Sequence, residues 1–247
     1  MMQYKATKKL IIFTGAGISA ESGIRTFRDT DGLWEDHCIE EVCSQSSWKK
    51  HFETVHTFYN QRRAELGKVV PNRAHEIVSE LKMQYGDDCV VITQNVDDLF
   101  ERAGCHNVLH LHGELCKMEC TACGTIWDIG YKIFDIVSDR CPHCGSLKGV
   151  KPHIVFFGGV APNYREMHKV FESARHPETI VVIIGTMGSV ISIETLLLKK
   201  LCKKILNNLE PSPYIDEALF DQVYYEKATT ALEKVRKDIE RYWKQGK

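Results

Sequence analysis

Two Cys-x-x-Cys pairs, Cys120 with Cys123 and Cys141 with Cys144, carry the most specific chemistry in the chain. Each pair can bring two thiolates to one ion, and the length between the pairs suits a small zinc ribbon. Four thiolates close a tetrahedral coordination sphere, so one Zn2+ here is expected to be structural rather than catalytic. Cys116 and His143 lie nearby but are surplus to four ligands. Proton transfer falls to His112, which ends the run Asn107–Leu111 and precedes a glycine. An imidazole titrating near neutrality suits proton abstraction from a hydroxyl. His110 is the alternative, expected on the same face of the same strand. Gln94, Asn95 and Asp97 are massed just past the run Cys89–Thr93, where open α/β sheets bind ligands. Asn95 and Asp97 could equally be turn formers.

Tyr59 and Arg62 stand three apart on an expected helix over 48–66, and so share a face with Phe52 and Val55. Tyr59 can be read as a core aromatic. Arg62 falls on the apolar side with no obvious partner in its own helix. Its fork suits a carboxylate or phosphate, the bland alternative being an internal salt bridge.

The elements that must position these groups follow from pattern. Leu10–Phe13 reads as a buried parallel strand. Gly15-Ala16-Gly17 and Ala20 follow at once, as in the glycine turn of a dinucleotide fold. Gly15 would allow the turn, Gly17 a close approach to pyrophosphate, and Ala20 close packing of a helix whose N–H groups face the phosphates. The usual second strand does not follow; a polar excursion over 29–45 takes its place and could fold over a bound cofactor. Ser46 or Ser47 can cap the 48–66 helix and Asn72 a second one ending near Gly86. Further strands are expected at Asn107–Glu114, Thr179–Ile184, Lys203–Leu206 and Gln222–Tyr225. A second glycine-rich loop spans Gly185–Ser189, and an amphipathic helix over 229–243 closes the chain. The alternation predicts an α/β fold with a largely parallel sheet.

The 247 residues can bury a sizeable core, and the formal net charge of -1 argues against a general nucleic-acid binder. No apolar run reaches membrane-spanning length, and the start lacks a signal-peptide pattern, so no membrane role and a cytoplasmic location are expected. Ten cysteines in such a chain are read as reduced thiols and metal ligands.

Seven motifs occur here in the order found in the sirtuins, the NAD-dependent protein-lysine deacylases. They are Gly15–Ser19, Gly23–Arg28, Thr93–Asp97, Leu111-His112-Gly113, the paired Cys-x-x-Cys, Lys151-Pro152-His153 and Asn208–Pro211. Asp31–Glu35 and Phe58–Arg63 look most like the bacterial CobB-type members. The resemblance implies a Rossmann-like NAD-binding domain from 1–114 and 151–247, with an inserted zinc-binding module at 115–150. It implies that Gly15, Ala16, Gly17, Phe27, Arg28, Gln94, Asn95 and Asp97 line the cofactor site. Asp97 would hold the carboxamide of NAD, and Asn95 a water or ribose hydroxyl. Gly185, Thr186, Ser189, Asn208 and Ala228 would contact its adenosine half. An acyl-lysine peptide, the implied partner, would add as a strand between 156–159 and the loop after Gly188.

The implied mechanism has nicotinamide leave as the acyl oxygen attacks the ribose. His112, with Asn95 and Asp97 completing the catalytic set, then takes a proton from the ribose hydroxyls. Free lysine, nicotinamide and O-acyl-ADP-ribose result. Tyr59 and Arg62 match the Tyr-x-x-Arg pair that reads acidic acyl groups, which implies desuccinylation or demalonylation beside deacetylation. Departures from the family pattern are Gly159 for a glutamate, Met187 for a small residue, Ile191-Ser192 for an aromatic-Pro pair, Phe100 for a histidine and Cys43 for an alanine. Other readings of the same site are a mono-ADP-ribosyltransferase, an NAD glycohydrolase or a non-catalytic NAD or ADP-ribose module. A monomer is expected.

Overall fold

Leu10–Thr14 (β1) is an uninterrupted apolar run, and all five residues are buried. Such a strand needs cover on both faces, which a central parallel strand flanked by helices supplies. The computed structural model describes residues 8–25, 33–34, 37–174 and 176–245. After β1 come two 3-10 turns, Ala16–Ile18 and Ala20–Ser22, then β2 (Leu33–Trp34), β3 (His37–Cys38) and α1 (Ile39–Val42). α2 (Phe52–Leu66), α3 (Arg73–Tyr85), β4 (Cys89–Thr93), α4 (Leu99–Arg102) and β5 (Leu109–His110) follow. Next are β6 (Gly113–Cys120), β7 (Ile126–Asp128), β8 (Val150–Ile154), α5 (Tyr164–Ser173), β9 (Ile180–Ile184) and α6 (Ile193–Leu197). β10 (Lys203–Asn208), β11 (Gln222–Tyr225) and α7 (Ala228–Gln245) complete the order.

The large sheet has six strands in the order β11-β10-β9-β1-β4-β5, with every pairing parallel. The chain runs outward from β1 through β4 to β5. It then returns to the other side of β1 and runs outward through β9, β10 and β11. That reversal makes the gap between β1 and β9 a topological switch point, where the loops part and a crevice opens. One face packs Leu10, Ile12, Val91 and Val182 against Leu81 of α3 and Leu232 and Val235 of α7. The other packs Ile11, Phe13 and Ile183 against Met167 and Phe171 of α5 and Leu196 of α6. The doubly covered sheet accounts for the lack of alternation in β1 and β9. No helix among the described residues is long and apolar enough to cross a membrane.

A second sheet, β7-β6-β8, is antiparallel and has its own small core of Met118, Phe134 and Val150. Arg63 of α2 ties it down. The guanidinium is fully buried and donates to the Lys132 and Leu115 carbonyls and to Asn60 Oδ1 (3.2, 3.4 and 2.7 Å).

Three local expectations need correction. α2 begins at Phe52, not 48: Ser44 to His51 form hydrogen-bonded turns first, with the Ser47 carbonyl accepting from the Lys50 and His51 N–H groups, and no side chain caps the helix. The glycine turn opens no α-helix: two 3-10 turns follow and Ala20 is exposed, so the buried contact there is Ile18. Asn107–Glu114 is not one strand. It breaks at Leu111-His112, and Gly113 (φ +88) starts β6 in the other sheet. A Cβ on Gly113 would lie 2.0 Å from the His153 carbonyl oxygen, so only glycine fits this crossing. The other strands, the Asn72 cap and the closing helix stand within a residue or two of expectation.

Candidate active site

The C-terminal ends of the parallel strands gather nearly all the chemistry. Gly15–Gly17 follow β1, Gln94–Asp97 follow β4 and His112 follows β5. Gly185, Thr186 and Ser189 follow β9, Asn208 ends β10, and Ala228 opens α7 after β11. Phe27 and Arg28 lie outside the described residues, as does most of 26–36.

Across the switch point the two glycine loops lie backbone on backbone. Gly15 N–H donates to the Ile184 carbonyl and Gly17 N–H to that of Gly185, both at 2.9 Å. A Cβ on Gly17 would sit 2.6 Å from Gly185 Cα. These glycines are therefore required by loop packing, and those two N–H groups are spent within the protein. The expectation that they face phosphates from a helix terminus is not met. Thr186 locks the neighbouring loops: its N–H donates to Asn208 Oδ1 (3.0 Å) and its hydroxyl accepts from Gln94 Nε2 (3.0 Å). Thr186 O accepts in turn from Asn208 Nδ2 (2.9 Å).

Asn95 and Asp97 meet at Ser19, whose importance the sequence reading missed. The fully buried Ser19 hydroxyl donates to Asp97 Oδ2 (2.9 Å) and accepts from Asn95 Nδ2 (3.0 Å). His75 Nε2 lies 3.4 Å from the same oxygen. Its Nδ1 accepts from Asn72 N–H (3.3 Å), which leaves the proton on Nε2, pointing at Ser19. Burial raises the Asp97 carboxyl above the usual carboxylate range, opposed by the Ser19 and Leu99 donors. Ser19 was visible as part of the glycine motif; His75 had no signal beyond lying near the Asn72 cap.

The two histidines separate by hydrogen bonding. His110 is buried, with Nδ1 against the Asn95 carbonyl (3.1 Å) and Nε2 against Glu101 Oε1 (2.9 Å). Both partners are acceptors, so both nitrogens donate and no lone pair remains. Burial opposes the charged form of His110, but Glu101 overrides it and raises the pKa. His112 differs. Its Nδ1 faces the Gln94 carbonyl (3.0 Å), and its Nε2 meets the Tyr164 hydroxyl (2.8 Å). The Nδ1–H tautomer follows, leaving Nε2 an acceptor. Burial lowers the His112 pKa, so the ring is neutral at pH 7.

Tyr59 is fully buried, stacks on Phe156 (5.9 Å) and lies against the Cys43 thiol. Arg62 does have a partner in its own helix, contrary to the sequence reading: Nη2 lies 3.0 Å from Glu65 Oε1. The Arg62 side chain is 10% exposed, and its guanidinium lies 5.4 Å from the Phe58 ring centroid. Gly159, the departure beside the expected peptide groove, occupies a turn where a Cβ would lie 2.8 Å from the Phe156 carbonyl oxygen. Cys43 and Gln45 pair through the backbone with Phe157, so that edge of 156–159 is taken.

Cys120, Cys123, Cys141 and Cys144 bring their four sulfurs within 4.8 Å of one another, with 3.6 Å between Cys120 and Cys144 and between Cys123 and Cys141. Tetrahedral Zn–S bonds of about 2.3 Å demand S···S edges of about 3.8 Å, so the donor set fits one zinc. With four thiolates no coordination position stays open, and the ion serves structure. Cys116 and His143 are not members of the cluster.

A parallel sheet with this strand order, polar loops at its switch point and a four-thiolate module define a dinucleotide-type enzyme site. A family model described as the Sir2 family matches residues 15–192, and the chain belongs to that family. It is 44% identical to a Helicobacter hepaticus NAD-dependent protein deacylase over 95% of this chain and 98% of that one. A Sir2 homologue solved with NAD superposes with a TM-score of 0.80 at 32% identity, covering 96% of this chain and 91% of that one. A Sir2 variant solved with 2′-O-acetyl-ADP-ribose gives 0.79 at 30% identity, over 95% and 92% of the two chains.

Proposed function

We propose that this chain is an NAD-dependent protein-lysine deacylase that removes acetyl groups and, through Arg62, succinyl or malonyl groups. The observation that carries the reading is His112: neutral, held as the Nδ1–H tautomer by the carbonyl of Gln94, the residue before Asn95, with Nε2 left as an acceptor. The switch-point crevice suits a dinucleotide. Bound there, NAD would supply the electrophilic ribose carbon and its nicotinamide leaving group, and would carry away the acyl group. Gln94, Asn95, Asp97 and Phe27 with Arg28 would hold its nicotinamide half. Gly185, Thr186, Ser189, Asn208 and Ala228 would hold the adenosine half, with Gly15, Ala16 and Gly17 between. His112 Nε2 takes the proton of a ribose hydroxyl so that its oxygen can attack the acyl carbon. Asp97, fixed by Ser19, orients the amide group of the leaving base.

Residues 115–150 act as a zinc-binding module inserted between 1–114 and 151–247. An acyl-lysine peptide adds as a strand between 156–159 and the loop after Gly188, away from the pairing with Cys43 and Gln45. Arg62, largely desolvated and 5.4 Å from the Phe58 ring centroid, would meet the terminal carboxylate of an acidic acyl chain, with Tyr59 three residues before it on α2. None of the ten cysteines is in a disulfide, which suits a reducing cytoplasm, and we expect a monomer, checked by light scattering. The test is turnover of matched acetyl- and succinyl-lysine peptides with NAD. Arg62→Met is expected to abolish desuccinylation and keep deacetylation; parallel loss of both would remove Arg62 from the acyl site.

A further inference from the structure

We infer that Tyr164 is a positioning residue that caps the proton-accepting nitrogen of His112 and gives it up when a substrate hydroxyl arrives. The inference rests on the reading of His112 as the general base.

Tyr164 opens α5, and its place is set by the fold. Asn163 Nδ2 donates to the His110 carbonyl (2.7 Å), pinning the start of the helix to the end of β5. Met167 and Phe171 anchor the next turns in the core, with Phe171 edge-on to Phe13 (centroids 6.1 Å apart). The phenol is thereby delivered to His112 Nε2 at 2.8 Å, with the rings tilted and 5.9 Å apart. Gln94 O can only accept, so Nδ1 carries the imidazole proton and Nε2 holds the lone pair. The Tyr164 O–H is therefore the donor. Burial raises the phenol pKa, so it stays protonated at neutral pH.

The lone pair that must receive a ribose proton is thus already engaged. Catalysis requires an exchange: the phenol withdraws, the substrate hydroxyl donates to Nε2, and the proton then passes to that nitrogen. While engaged, the phenol stabilises neutral imidazole over imidazolium. It holds the base deprotonated in company with burial. Among the described residues, the groups that face His112 are the Gln94 carbonyl from the loop after β4 and Tyr164 from α5. Val155 N–H, just past β8, bonds the His112 carbonyl (2.9 Å). Among the described residues, the causes of the His112 shift are burial and the Gln94 carbonyl, with no ionised side chain.

Tyr164→Phe removes the hydroxyl and keeps the ring. His112 would be titrated by NMR in the substrate-free protein, and the pH dependence of kcat/KM for deacetylation measured beside it. The expected result is a rise in the His112 pKa of about half a unit to one unit, the size of one neutral hydrogen bond. The acid limb of kcat/KM, which reports the free enzyme, should move up by the same amount. Tyr164→Met, of similar apolar bulk, should give the same shifts. An unmoved His112 titration in both folded variants overturns the inference, and so does a moved titration with an unmoved acid limb. If His112→Ala keeps full deacylase activity, the base assignment itself fails, whatever the Tyr164 variants do.

Discussion

Replacing Ser19 with alanine removes one fully buried hydroxyl that holds three side chains together. Asp97 Oδ2 loses its donor, and Asn95 Nδ2 loses an acceptor. A hydrogen bond to a charged group contributes about 1.5–3 kcal/mol, and a stranded neutral donor costs about 1 kcal/mol or more. Alanine fills the volume well, so the expected loss of stability is about 3 kcal/mol. The loss should depend on pH. Burial already holds the folded-state Asp97 pKa above its unfolded value, and Ser19 pulls it down. A raised carboxyl pKa means the folded state binds the proton more tightly, so its contribution to stability falls as pH rises through that window. Removing Ser19 widens the window upward. Urea unfolding of Ser19→Ala and wild type at pH 5 and pH 8 measures this. A larger deficit at pH 8 is expected. A deficit under about 1 kcal/mol, or one equal at both pH values, would refute the reasoning.

Other outcomes are open to the same kind of check. His56 and His75 are both pushed down to about 4 by burial, so they favour the neutral ring in the folded state. Their stabilising effect is complete above pH 6.5 and is lost as pH falls toward 4, by about 2 kcal/mol each at pH 5. His56→Gln should flatten the acid side of the melting profile, and an unchanged slope would count against His56. Chelation should remove one zinc per chain and unfold the β6–β8 sheet, with activity lost in step with structure; activity lost before any change in circular dichroism would argue for a catalytic ion. Glu65→Ala removes a competitor for the Arg62 fork. Solvent reaches the half-exposed Glu65 end and screens the pair to about 1 kcal/mol or less, so KM for a succinyl peptide should fall by up to about fivefold while that for an acetyl peptide stays put.

The positions of most elements were legible because the doubly covered sheet imposes continuous apolar runs, as in β1 and β9. The zinc site was legible because four thiolates at that spacing have few other uses. Long-range geometry was not. Nothing local says that Gly17 is needed against Gly185, which stands far along the chain but directly across the switch point. Arg63, not Arg62, proved to be the fully buried cation of α2, because backbone carbonyls of a distant module satisfy it. Arg62 found Glu65 one turn away, a pair that helical spacing did offer. Position along the chain favours His112 over His110, but the decisive difference is which ring keeps a lone pair. That depends on Glu101 and Tyr164, which no motif connects to either histidine.

The central claim is tested most directly by incubating the protein with NAD and an acetyl-lysine peptide, following nicotinamide and peptide mass together, with His112→Ala beside it. The account predicts one nicotinamide released per acetyl group lost, and near-complete loss of both in the variant. Nicotinamide release with the peptide mass unchanged, or full deacetylation by His112→Ala, would contradict it.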